Sequence, residues 1–355
     1  MTKNDWLEIG YQNGIIDLED YEEMLLRDAY KEWFLMKTKC IKKQSADRIE
    51  VTYNRYYNNA PIVEKCISKI AEKDIITFLL DAILSSGNMT RKEFDRIYQI
   101  IKGVMVYMRD INKGGAKLID WNAIKRNLPS DSFTQTAKQE YAIPSIDVNR
   151  IMHQVTNQKI YYIKQSACLT LCMNFYLGLR IGELASLSFR DFDFTKNIVR
   201  ITKTESKFYN RDDNGEKIGT MSYHVTNDLK THNAVREIPI LPEVKYLYEK
   251  IKEHHEECKY ESPYLAYDGT DTILVRSLDR TLRRLCNLCD VDYFNSHEIR
   301  KTFASMLHHH GVPTRVISDL MGHSEIKTTE NNYILPYANN YDSVYQYMKQ
   351  SLNYN

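Results

Sequence analysis

The stretch SHEIRKTFASMLHHHGVPTRVISDLMGHSEIKTTENNY, residues 296–333, decides the reading of the chain. Its apolar residues recur at helical spacing in two blocks, about 297–310 and 313–321. His297 and Arg300 fall three residues apart, on one face of the first block. His323 stands ten residues before Tyr333. Two earlier segments add the same kinds of side chain. GLRIGEL at 178–184 follows a helical stretch and carries Arg180 and Glu183. LKTHNAVREIPI at 229–240 puts Lys230 at a β-turn.

Around these segments the second half reads as helices at about 145–156, 159–177, 242–257 and 276–288. IVRITKT at 198–204, SYHVTND at 222–228 and AVREIPI at 234–240 alternate like strands, with a polar loop, YNRDDNGEKIG, between the first two. The first half reads as helices over Asp17–Phe34, Ser45–Tyr57 and Ile62–Leu84, the last as one or two. A further helix runs from a capping box at Thr90 and Glu93 to about Asp110. The aperiodic stretch NLPSDSFTQTAKQEYAIPS, 127–145, is the best linker. The fold class expected is mainly α with a small antiparallel β-sheet, in two domains.

Composition narrows the function classes. With 355 residues, 27% charged and 43% hydrophobic, the chain is neither a disordered polymer nor a membrane protein. No apolar run approaches the roughly 18–20 residues of a membrane span. The start, MTKNDWLEIGYQNG, lacks the apolar core of a signal peptide. Seven scattered Cys argue against a disulfide framework, so a cytoplasmic location is expected. The net charge of +1 conceals a pattern: residues 1–30 carry −6, residues 31–140 carry +7, and residues 141–355 balance at 26 against 26. A basic block beside a neutral domain suits a polyanion, and equally a solvated helical surface.

Two Arg, one Lys, two His and one Tyr suit phosphoryl transfer. Arg forks hold the non-bridging oxygens of a phosphodiester and stabilise charge as it develops. A Tyr oxygen can attack phosphorus, and a Lys or His can protonate the leaving oxygen. This chemistry needs neither a carboxylate cluster nor a Cys/His metal set, and no cofactor is expected.

In this order, Arg, Lys, His-x-x-Arg, Gly-His and Tyr, the segments resemble the catalytic boxes of the tyrosine recombinases, or phage-type integrases. The resemblance is close over about 145–340, and KTHNAVREIP is similar to integrases of Gram-positive phages and conjugative transposons. It implies a site-specific DNA recombinase that cleaves and rejoins DNA through a 3′-phosphotyrosine, independent of metal and ATP. Arg180 and Arg300 would clamp the scissile phosphate. Lys230 would be the general acid toward the 5′-oxygen, with His297 assisting and His323 binding a non-bridging oxygen. Tyr333 would be the nucleophile, and Glu183 would orient an Arg or His. The implied domains are an extension at 1–19, a core-binding domain at 20–128, a linker at 129–145, a catalytic domain at 146–335 and a tail helix at 336–355. Partners would be double-stranded DNA, three further copies in a synaptic tetramer joined through the tail, and an accessory bending or excision factor. Residues 1–19 are short for a separate arm-site domain. The tail sequence DSVYQYMKQSL packs either on its own domain or on a neighbour.

Some assignments stay open from the residues. Taken singly, Arg180 and Arg300 read as ordinary surface residues. Lys203 competes with Lys230, and Tyr337 with Tyr333, in a chain with 26 Tyr. His308–His310 reads as helix surface, Cys168 and Cys172 as core, and Cys286-x-x-Cys289 as a weak half of a zinc site without a second pair. A type IB topoisomerase and a non-catalytic DNA-binding regulator are the competing functions.

Overall fold

Gln165–Leu177 is apolar or small on nearly every face, and a helix apolar all round must lie inside. The computed structural model of the chain, which describes residues 23–129, 133–134, 142–157, 164–227, 234–269 and 275–332, places it so. The chain divides into two compact units, Met1–Ala137 with Phe208–Ser222, and Lys138–Lys207 with Tyr223–Asn355. Lys230, Tyr333, the tail 336–355 and the extension 1–19 lie outside the described residues.

The first unit holds α1 (Leu26–Cys40), α2 (Lys43–Tyr56), α3 (Glu72–Ser86), α4 (Arg91–Asp110) and the short α5 (Trp121–Arg126). Where one or two helices are expected over 62–84, two 3-10 turns at Pro61–Glu64 and Ile67–Lys69 precede α3. Leu26, Trp33, Tyr57, Leu79, Ile97, Ile101 and Met105 form its core. Tyr30 stacks on Tyr53 with centroids 3.5 Å apart, and Tyr53 on Tyr57 at 5.2 Å. These rings fasten α1 to α2. Thr90 caps α4 by accepting from the Glu93 backbone N–H, 3.2 Å away. The Glu93 carboxylate turns instead to Arg55 Nη1 at 2.9 Å and the Tyr56 hydroxyl at 2.5 Å. The expected box is thus half a box, because tertiary partners took its second arm.

The second unit surrounds α7 (Gln165–Leu177) with α6 (Ser145–Asn157), α9 (Pro242–Cys258), α10 (Val275–Leu288) and α11 (Ser296–His309). Asp268 caps α7, taking the Ser166 and Ala167 backbone N–H groups at 3.0 Å each. Cys168, Cys172 and Cys286 are core, and His308–His310 are exposed. α8 (Ile181–Ala185), α12 (Thr314–Met321) and α13 (Ile326–Asn332) complete the described helices. β1 (Phe192–Asp193), β2 (Ile198–Ile201) and β5 (Arg236–Pro239) form an antiparallel sheet, with Val199 opposite Ile238 and Ile201 opposite Arg236.

The segment between the first two expected strands is not a loop. β3 (Thr204–Arg211) and β4 (Lys217–Thr226) make a two-stranded ribbon across it. Asp212 Oδ1 accepts from the Asn214 and Glu216 N–H groups at 3.0 and 2.8 Å, and Gly215 takes φ +80°. The polar residues that read as loop are therefore the turn. The tip belongs to the first unit. There the Arg211 Nη2 meets both Asp47 and Glu50 at 2.6 Å, with the guanidinium over the Phe34 ring at 5.1 Å. Lys217 Nζ adds a 3.0 Å contact to Glu50.

Gly178 ends α7 at φ +59°, and a Cβ there would run into the Phe303 ring. The left-handed backbone and the overpacking each cost an L-residue about 1–2 kcal/mol or more. Gly178→Ala should therefore lower the stability of the second unit by about 2–4 kcal/mol in urea unfolding followed by circular dichroism. A loss under about 0.5 kcal/mol would show that the turn yields freely.

Candidate active site

The turn after α7 delivers the first Arg. Asn174, fully buried on the last turn of α7, accepts from Leu179 N at 2.7 Å and donates to Leu179 O at 3.2 Å. Arg180 then sits immediately before α8. Its backbone N–H donates to Glu183 Oε2 at 3.0 Å, and its Nη1 to Glu183 Oε1 at 2.8 Å. Glu183 is 3% exposed. Burial alone would raise its pKa, yet Arg236 above all, with Arg180 and Arg300, brings it down to about 2.

Arg300, on α11, is completely buried. Nη1 donates to the Gly178 carbonyl at 2.6 Å. Nη2 donates to the Met321 carbonyl and lies 3.0 Å from His323 Nε2. An Arg only donates, so His323 Nε2 accepts and its proton sits on Nδ1, which donates to Thr329 Oγ1 at 2.8 Å. Burial, followed by the charges of Arg300, Arg180 and Arg236, pushes the His323 pKa down to about 3. The ring is a neutral hydrogen-bond link at physiological pH.

The C-terminus of α12 gathers the Arg side chains. Arg236 Nε donates to Leu320 O at 2.5 Å, Arg300 to Met321 O, and Arg180 Nη2 to Gly322 O at 3.1 Å. Three consecutive carbonyls, which a helix end leaves without internal partners, each take one guanidinium.

Of the expected residues, the structure thus brings together Arg180, Glu183, Arg300 and His323. His297 stands on the first turn of α11, exposed, with its N–H taken by the Asn295 cap at 2.9 Å. Partial desolvation and then Lys301, Arg300 and Arg180 lower its pKa, so it feels the same positive field. Lys203 is engaged elsewhere, with Nζ 2.8 Å from Ser188 Oγ and 2.9 Å from Asp191 Oδ2.

Arg236, Asn174 and Thr329 were missed from sequence. Arg236 had a signal: it shares the inward phase of β5 with Ile238, while Glu237 and Pro239 face out. A charge in an apolar phase demands a buried partner. Asn174, inside an apolar helix, carried a weaker signal of the same kind, and Thr329 carried none.

Residues 142–340 match the model of the phage integrase family. The chain belongs to that family. It is 33% identical over 174 residues to the tyrosine recombinase XerC-like protein of Caldanaerobacter subterraneus subsp. tengcongensis, covering 45% of this chain and 43% of the relative. It is 26% identical over 172 residues to the ICEBs1 integrase of Bacillus subtilis, covering 46% and 44%. The matches thus span less than half the length of these curated relatives. In fold it is similar to the Tn1549 transposon integrase in complex with a circular intermediate DNA, with TM-score 0.64 and 17% identity over 92% of this chain and 99% of that one. It is also similar to the lambda integrase dimer bound to a COC′ core site, with TM-score 0.57 and 12% identity over 94% and 81%.

The lowered pKa of His323 makes stability depend on pH with a definite sign. The unfolded chain protonates this ring below its ordinary 6.5, whereas the folded chain does so only near 3. Its contribution is full above pH 6.5 and falls as pH drops through that window, by up to about 1.4 kcal/mol per pH unit. Glu183, depressed from 4.5 to about 2, adds its own loss only below about 4.5. His323→Gln should therefore flatten the stability curve between pH 6 and 5, measured by urea midpoints. Parallel curves for both proteins would contradict a neutral buried His323.

Proposed function

We propose that this integrase-family chain is a site-specific DNA recombinase of a mobile element, working through a 3′-phosphotyrosine. The observation that carries this reading is the convergence of Arg180 and Arg300 on the adjacent carbonyls of Gly322 and Met321, beside His323. Two guanidiniums held side by side, Arg180 half-buried and Arg300 buried, suit the non-bridging oxygens of one phosphate once Arg300 gives up a carbonyl for it.

In this reading the Tyr333 hydroxyl gives up its proton with the help of His297, its oxygen attacks phosphorus, and the 5′-oxygen leaves, taking a proton from Lys230. The product is a 3′-phosphotyrosine and a free 5′-hydroxyl. A 5′-hydroxyl from another strand then reverses the reaction and releases Tyr333. The phosphoester bond is exchanged rather than hydrolysed, so no nucleotide triphosphate drives it. Arg180 and Arg300 stabilise the charge on the non-bridging oxygens of the five-coordinate phosphorus. His297 assists the proton transfer. His323, which links Arg300 to Thr329 here, donates to a non-bridging oxygen through Nε2 once Arg300 has taken the phosphate, with the proton moved from Nδ1 to Nε2 and Nδ1 accepting from the Thr329 hydroxyl. The engagement of Lys203 with Ser188 and Asp191 favours Lys230 as the acid.

DNA is the proposed partner. α10 exposes Arg276, Arg280, Arg283 and Arg284 opposite its buried Leu278, Leu282 and Leu285. The +7 block of residues 31–140 adds a second basic surface for the phosphate backbone. In domain terms, 20–128 would bind the core site, 129–145 would link, 146–335 would catalyse, and 336–355 would join four protomers on DNA. An accessory bending or excision factor would act with them. The likeness to ICEBs1 and Tn1549 integrases supports a mobile element, and a cytoplasmic location follows from a DNA substrate; no helix among the described residues is long and apolar enough to cross a membrane.

The test uses a duplex selected for binding from a random-sequence pool, nicked to trap the cleaved state. The full chain should form a covalent DNA adduct on a denaturing gel. Tyr333→Phe should abolish it while keeping DNA affinity within about threefold, because affinity rests on many phosphate contacts. An adduct in that variant would move the nucleophile, Tyr337 being the next candidate. Relaxation of any supercoiled plasmid would favour the topoisomerase, and binding without an adduct the regulator.

Arg180→Lys should slow adduct formation by at least about 10²-fold, since a point charge cannot replace a bidentate fork. A wild-type rate would count against the clamp.

A further inference from the structure

We propose that Arg236 is a positioning residue for strand cleavage, acting through Glu183 on Arg180 and through Leu320 on the segment that carries His323. The proposal rests on the recombinase reading above and adds a residue to it. Arg236 acts from inside the fold, its side chain 5% exposed and each of its three nitrogens bound to a protein group. All three of its donor directions are used inside the fold. Nη1 holds Ala234 O at 3.0 Å on its own strand, Nη2 holds Glu183 Oε2 at 2.8 Å, and Nε holds Leu320 O at 2.5 Å.

The Glu183 carboxylate has two faces to fill. Oε1 receives the Arg180 side chain, and Oε2 is shared by the Arg180 backbone N–H and Arg236 Nη2. Arg236 is therefore the anchor in this cluster that does not itself belong to residue 180. It sets the rotation of the carboxylate, and the carboxylate in turn sets the Arg180 fork. The second arm matters equally. Leu320 precedes Met321 and Gly322, whose carbonyls Arg300 and Arg180 hold, and His323 follows. One guanidinium thus registers β5, α8 and the end of α12 to each other.

Lys at this position keeps the charge but cannot donate along three fixed planar directions. A misplacement on the order of 1 Å at Arg180 is worth about 10²-fold in rate. The test is single-turnover cleavage of the nicked, pool-selected duplex by the full chain, as rate constant at saturating DNA and as half-saturating concentration. Arg236→Lys and Arg236→Gln should lower the rate constant about 10–100-fold with half-saturation within about threefold. A merely structural role predicts a smaller amplitude from a smaller folded fraction, at an unchanged rate constant. Glu183→Gln provides a second approach should either Arg236 variant fold poorly. It should slow cleavage similarly, and the double variant Glu183→Gln with Arg236→Lys should lose less than the product of the two single losses, since both cut the shared Glu183–Arg236 link.

Wild-type rate constants in the folded Arg236 variants would overturn the proposal, as would multiplying losses in the double variant. Absence of any adduct with the unsubstituted chain would instead overturn the recombinase reading, so the two failures are distinct.

Discussion

The end of α12 is the constraint on which the second unit turns. A helix finishes with carbonyls that its own backbone cannot satisfy, and here Leu320, Met321 and Gly322 present them inward. Each is taken by an Arg from a different part of the sequence: position 236 on a strand, 300 on a helix and 180 at a helix start. Three cations brought this close repel one another and lose hydration, at several kcal/mol per buried ion. The negative end of the α12 dipole and the buried Glu183 carboxylate offset that cost. One carboxylate against three guanidiniums leaves the cluster positive. That surplus is what an anionic phosphate would complement, and after burial it is the second cause that keeps His323 neutral.

Much of this was legible in the sequence, for reasons that differ by residue. The spacing of His297 and Arg300 placed both on the first turns of one helix, because i and i+3 share a face. The GLRIGEL string placed Arg180 just after a helix, two residues past the Gly178 that supplies that helix's left-handed end, and a short helix then starts at Ile181. The order of the boxes supplied the chemistry. Glu183 was read as a residue that orients an Arg or His, and its carboxylate meets two Arg side chains. Arg236 lay in plain view within VREIP, yet its inward phase only gains meaning once Glu183 and Leu320 are seen to face it. Those partners are 53 and 84 residues away. No local pattern carries such a separation.

The ribbon of β3 and β4 shows the same limit. Its strands are polar and half-exposed, so they lack the apolar alternation that marks a strand packed on a core. Their tip is instead secured by charge, with Arg211 set between Asp47 and Glu50 and against Phe34. The 160-residue separation of these partners hid the ribbon from any windowed reading. In the first unit the reverse holds. Its longer helices were visible because their apolar stripes repeat within each helix, although α1 runs past the expected Phe34 to Cys40 and the short α5 was not read; the Tyr30–Tyr53–Tyr57 stack follows from those stripes meeting.

A buried, ionised Glu183 holds the Arg180 and Arg236 side chains in place. Carboxyl ¹³C chemical shifts of selectively labelled Glu, followed through an acid titration of the folded protein, test it directly. Glu183, assigned by comparison with Glu183→Gln, should stay ionised throughout the folded range and titrate toward about 2. A midpoint near the ordinary 4.5 would mean that the carboxylate is not clasped by Arg180 and Arg236, and would contradict the claim.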